Sequence, residues 1–164
     1  LDLSTLNATN NISNRIGDTN YSDVQWWLEW YTATGATAVT VTVNVTYNDG
    51  TTGALTGASL AATRPASFML SLNALIPAAS SGKYIRAVNT VTLSATTGTA
   101  GSFGVTATRP RMTLSAPIAN MKFVADWAQL GFPEIFNESC LFPIVLTSTT
   151  STGTVRGGGK ISHG

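Results

Sequence analysis

Residues 38–47, AVTVTVNVTY, alternate without a break: Val39, Val41, Val43, Val45 and Tyr47 fall on one side, Thr40, Thr42, Asn44 and Thr46 on the other. Successive side chains of a strand point to opposite faces, so a period of two predicts a half-buried strand with one polar face. Its β-branched residues favour the same conformation. Asn48-Asp49-Gly50 follows. Asp-Gly supplies positive φ cheaply, which predicts a hairpin into residues 51–63.

The rest of the chain continues in this rhythm. Residues 67–76 read as a strand with Phe68, Leu70 and Leu72 inward, broken by Pro77 and by Ser80-Ser81-Gly82. Residues 83–95 read as a long strand, with 102–109 as its hairpin partner across a Gly/Thr turn at 96–101. Residues 111–116 continue as a strand after Pro110. Residues 140–148 and 152–162 form a last pair, in which Pro143 marks an edge or a bulge. Met121, Val124, Trp127 and Ala128 instead have helical spacing, between a possible cap at Asn120 and stop signals at Gly131 and Pro133. They predict one short helix at about 120–130. About eight strands with such turns predict an all-β fold. The expected unit is a single β-sandwich or jelly-roll-like domain over residues 21–164, ending in a Gly-rich tail. Residues 1–20 show neither period and read as an extended N-terminal arm. ATRP occurs twice, at 62–65 and 107–110, a weak sign of internal duplication.

Composition narrows the function. Charged residues make up 10% of 164 and hydrophobic residues 43%. The apolar content predicts folding rather than disorder, but so little charge suits a chain covered by neighbours better than a soluble monomer. Net charge is +1 with no basic stripe, which argues against nucleic acid as a partner. No apolar run approaches the roughly 18 residues of a membrane span. The single histidine, His163, rules out a His-dependent triad or multi-His metal site within one chain. The carboxylates are scattered, with no pair marked across a cleft. Asp18 to Asp23 gathers oxygen ligands but lacks a late Glu, and reads as an Asx-rich turn rather than a calcium loop. Cys140 is alone, so no intrachain disulfide forms, and its apolar neighbours predict a buried thiol. Neither catalytic residue nor cofactor is expected.

VQWWLEWY, residues 24–31, holds three of the four Trp residues. On a strand, Val24, Trp26, Leu28 and Trp30 share the core face. Gln25, Trp27, Glu29 and Tyr31 share the other. Trp27 and Tyr31 then lie about 13 Å apart, from a rise of about 3.3 Å per residue. Three uses are open: packing under the expected helix with Trp127, contact with another subunit, or stacking of sugar rings.

VQWWLEWYTATGATAVTVTVNVTYNDG and IRAVNTVTLSATTGTAGSFGVTATR resemble virion structural proteins of tailed bacteriophages. The likeness is greatest to the small β-rich proteins that decorate or cement capsids. It spans residues 24–164 and lies in Thr/Ala/Gly-rich alternating strands and low charge, without a diagnostic motif. It implies a non-enzymatic protein on the capsid surface of a virion. Its partners would be the major capsid protein or other virion proteins, and its own copies as a dimer or trimer. Residues 1–20 and 152–164 are expected to touch neighbouring chains, with Leu3, Leu6, Ile12, Ile16, Trp27, Tyr31, Arg156 and Lys160 as contact residues. A tail, neck or fibre component, or a glycan-binding adhesin domain, is the alternative.

Overall fold

The fold is seen in a computed structural model that describes residues 1–3, 20–98, 101–115, 121, 122, 124, 126 and 140–146. Six strands are described: β1 (Gln25–Trp30), β2 (Val39–Tyr47), β3 (Thr52–Leu60), β4 (Met69–Ser71), β5 (Ile85–Leu93) and β6 (Phe103–Thr108). They form two three-stranded antiparallel sheets, β3-β2-β5 and β4-β1-β6. The described residues are all-β apart from short 3-10 turns at Asn73–Leu75 and Ala78–Ser80.

The alternation in β2 has the predicted consequence. Val39, Val41, Val43, Val45 and Tyr47 are buried. Thr40 and Asn44 on the reverse face are exposed, and Thr42 and Thr46 are half-exposed. The turn after Tyr47 closes the β2–β3 hairpin, with Gly50 at φ +83° where a side chain would be strained. The β2–β3 register slips between Val41 and Val43. Gly57 at φ +85° supplies the positive-φ residue that a bulge there needs. The outward row is knitted without charge: Asn44 Nδ2 donates to Thr90 Oγ1 at 2.8 Å, and Asn89 Nδ2 to Thr46 Oγ1 at 3.0 Å.

β1 runs through the middle of the second sheet. Val24, Leu28 and Trp30 are fully buried and Trp26 nearly so. They join the valines of β2 in one hydrophobic cluster, so both sheets share a single core. Trp26 ties the sheets together, its indole Nε1 donating to the Ile85 carbonyl at 2.8 Å. Trp30 lies between Phe68 and Phe103, with ring centroids 6.1 and 5.8 Å away.

β4 is much shorter than the strand expected over 67–76, because the chain turns into a 3-10 helix after Leu72. The side chain of Asn73 then stands in for the missing strand. Its Oδ1 accepts from the Trp26 N–H at 2.7 Å, and its Nδ2 donates to the Val24 carbonyl at 3.0 Å. One side-chain amide thus serves a donor and an acceptor that would otherwise face no partner strand.

Several expectations are corrected. β6 is not the hairpin partner of β5; it pairs with β1, matching Phe103, Val105 and Ala107 to Trp30, Leu28 and Trp26. β5 already pairs with β2 on one side, and residues 1–3 pair with its residues 89–91 on the other. Residues 111–115 and 140–146 are not strands, since no described residue offers them a ladder. Met121, Lys122, Val124 and Asp126 are not helical. Met121 and Val124 are exposed, and a short helix without a surface to bury its apolar stripe is marginal. The other positions of that helix, Trp127 included, lie outside the described residues. Cys140 is exposed rather than buried. The two ATRP copies differ in conformation. The first bends through Thr63 at φ +56°, and the second ends β6.

Candidate functional site

The outer face of the β4-β1-β6 sheet carries the residues singled out by sequence. Trp27 sits between Ser71 and Thr106, and Glu29 between Met69 and Gly104. Trp27 is half-buried, and its Nε1 donates to Thr108 Oγ1 at 2.8 Å. Glu29 Oε2 accepts from Thr106 Oγ1 at 2.7 Å. Tyr31, just past the strand, is 56% exposed. Its ring lies across Gly104, where an added Cβ would come within 2.9 Å of the ring Cζ. The absence of a side chain at Gly104 is what lets the phenol lie down, a local signal that the sequence carried but that strand pairing alone explains.

This face is therefore pre-satisfied. Its indole N–H and one carboxylate oxygen are already bonded to threonines of β6, leaving ring surfaces, a thioether, hydroxyls, the Gln25 amide and the other Glu29 oxygen. Such a surface gains by contact area more than by directed hydrogen bonds. Below it, Arg109 Nε pairs with Asp23 Oδ2, closing the strand ends at Gln25 and Thr108. Asp23, read from sequence as part of an oxygen-rich loop, is thus engaged by a guanidinium. Asp18 lies outside the described residues. Among the described residues no three His, Cys, Asp or Glu gather as a metal site, and no helix is long and apolar enough to cross a membrane.

Of the other contact residues expected, Leu3 packs against this chain's own core, its backbone N–H donating to the Asn89 carbonyl at 2.8 Å. Leu6, Ile12, Ile16, Arg156 and Lys160 lie outside the described residues. What sequence reasoning missed is the character of the chain beyond β6. Met112, Leu114, Met121, Val124, Leu141, Phe142, Val145 and Leu146 are all exposed. The signal was present as apolar residues at positions read as strands and helix.

In the β3-β2-β5 sheet the β2–β3 turn is clipped electrostatically. Asp49 Oδ2 lies 2.9 Å from Lys83 Nζ. Asp49 Oδ1 accepts from the Thr51 hydroxyl at 2.6 Å and from its N–H at 2.9 Å. The Lys83 ammonium first, then Thr51, hold the Asp49 carboxyl well below the usual carboxylate range. A lowered folded pKa gives stability that is present above the unfolded value of about 3.9 and lost as pH falls toward the folded one. The expected outcome is that wild type melts above Asp49→Asn at pH 7, and that the gap narrows as pH falls below about 4. A pH-independent gap in thermal melts would refute the clip.

Comparison with protein families, characterised proteins and solved structures finds no match to this chain, so its function must be argued from the surface just described.

Proposed function

We propose that this protein is a non-enzymatic structural component of a virion. It binds the outer surface of a tailed-phage head shell and stabilises the assembled lattice. One observation carries the reading. The core is built from residues between Leu3 and Ala107, and the described chain beyond it presents apolar side chains to solvent. Exposed apolar surface on this scale marks contact with another macromolecule. The uncharged Thr/Asn face of β2 and the satisfied aromatic face of β1 support the same reading, since both provide area rather than chemistry. The two sheets are read as the halves of a β-sandwich or jelly-roll-like domain, in which strands after residue 110 bring the number to about eight once a partner supplies their ladder.

A protein that binds the lattice and not the free subunit adds its binding free energy to the lattice by mass action. The test is sedimentation of the purified chain with assembled head shells that lack it, and separately with free capsid subunits. The expected result is saturable pelleting with shells and a raised melting temperature of the shell. A chain that stays in the supernatant and leaves the shell's melting unchanged would overturn the reading. Binding to purified tails or fibres instead would move the chain to those parts of the particle. Glycan binding lost in Tyr31→Ala would replace assembly by adhesion.

A further inference from the structure

We propose that residues 140–146 of one copy add as a β-strand to the open edge of β6 in a second copy. This deepens the assembly reading, on which it rests, by naming how copies join.

The argument begins with the four sheet edges. β4 has only three residues. The outer edge of β5 is engaged at residues 89–91 by residues 1–3. β3 is long, but its core-facing Leu55, Ala58 and Leu60 are already buried. β6 differs. It pairs with β1 along one edge, and no described residue pairs with the other. Its core-facing Phe103, Val105 and Ala107 are only half-buried, although they lie opposite the buried Trp30, Leu28 and Trp26. The core is therefore least covered along this edge, where one more apolar strand would seal it.

The same chain carries such a strand without a place for it. Residues 140–146, CLFPIVL, belong to no ladder. Leu141 and Phe142 are each 47% exposed, Val145 52% and Leu146 83%. Spaced two apart, Phe142, Ile144 and Leu146 share one face, and Leu141 and Val145 the other. Apolar residues on both faces are the pattern of a strand covered on both sides. Pro143 lacks an N–H, which a strand tolerates when it forms the new edge. Neither 103–108 nor 140–146 contains a charged residue or, on β6, a proline. These are the devices that normally keep edges apart. Among the described residues of one chain the donor stays exposed and the edge stays open; exchange between copies removes both deficits. Each copy gives one segment and receives another, so two copies close by reciprocal exchange into a two-fold dimer, and a one-way donation closes into a small ring or continues as a chain.

The test uses the full-length chain and its single thiol, Cys140. Copies of natural and of heavy-nitrogen isotopic content are mixed, labelled at Cys140 with a benzophenone maleimide and photolysed. Cross-linked peptides are then read by mass spectrometry. The expected result is an oligomer by light scattering, with cross-links from Cys140 into residues 103–108 that join light to heavy chains. The double variant Phe142→Asp, Leu146→Asp replaces residues exposed in the single chain. It should keep its β-sheet circular dichroism and weaken association by at least about 30-fold, from the burial lost at two large apolar side chains. A monomer, cross-links confined within one chain, or a double variant that associates as tightly as wild type would each overturn the proposal. A monomer that still pellets with head shells would sink this inference and leave the assembly reading standing.

Discussion

Trp30→Ala is expected to lower the folding free energy by about 3–5 kcal/mol, the range for deleting a fully buried large aromatic. Trp27→Ala, on the reverse face of the same strand, should cost no more than about 2 kcal/mol, from partial burial and one hydrogen bond. The difference follows from the strand's period. Trp30 has no solvent exposure and touches Phe68 and Phe103. Its removal opens a cavity in the shared core, which neighbouring strands held by ladder hydrogen bonds cannot fill. Trp27 lies on the outer face, where water replaces what is lost. A third variant sharpens the point. The Trp30 Nε1 is buried without a partner, a condition that itself costs about 1–3 kcal/mol. Trp30→Phe removes that donor along with some volume, and should cost far less than Trp30→Ala. Urea unfolding followed by far-ultraviolet circular dichroism measures all three. Equal losses for Trp27→Ala and Trp30→Ala would show that the two faces of β1 are wrongly assigned.

Asn73→Ala should cost about 2–4 kcal/mol, more than most substitutions at a half-buried polar residue, because it orphans two backbone groups at once. The Trp26 N–H and the Val24 carbonyl both bond to that side chain, and both adjoin fully or nearly buried residues. Asn73→Asp keeps the acceptor for Trp26 but sets a carboxylate oxygen against the Val24 carbonyl, so at pH 7 it should cost at least as much as Asn73→Ala. Amide hydrogen exchange gives the local readout. In Asn73→Ala the Trp26 amide should lose protection well beyond the fall in global stability, while amides in β2 follow the global change. Uniform loss across the molecule would mean that Asn73 acts only through general packing.

These two sites show where the sequence could be read and where it could not. β1, β2 and the turn at 48–50 were legible, because alternation and Asp-Gly are local signals and one face of each strand is buried. The pairing of β6 was not. A Gly/Thr turn between two apolar runs looks like a hairpin, but the decision lay with edges: β5 had none to offer over its middle, and β1 had a matching inward row. The role of Asn73 was equally hidden. Asn73 falls inside the stretch read as a strand over 67–76, and only the early end of β4 makes its amide a substitute for a strand. Residues 111–115 and 140–146 have the composition of strands without strand geometry. Propensity describes what a segment can pair with, and geometry depends on whether an edge is within reach. As for the candidate site, sequence placed Trp27 and Tyr31 on one face, but not the threonines that occupy Trp27 and Glu29, nor the glycine beneath Tyr31.

The way successive strands are shared between the sheets bears on how the molecule comes into being. Among the described strands only β2 and β3 are neighbours both in the chain and in a sheet. β1 finds its long partner in β6, with paired residues as far apart as Gln25 and Thr108. A nascent polypeptide leaving the ribosome therefore carries its tryptophan-rich segment with one edge covered only by the short β4, and the other unmatched until some eighty further residues have been synthesised. High contact order of this kind slows folding and prolongs the time in which sticky segments can meet the wrong neighbour. Yield in a cell should accordingly depend on translation speed and chaperone supply more than the modest size of the protein suggests.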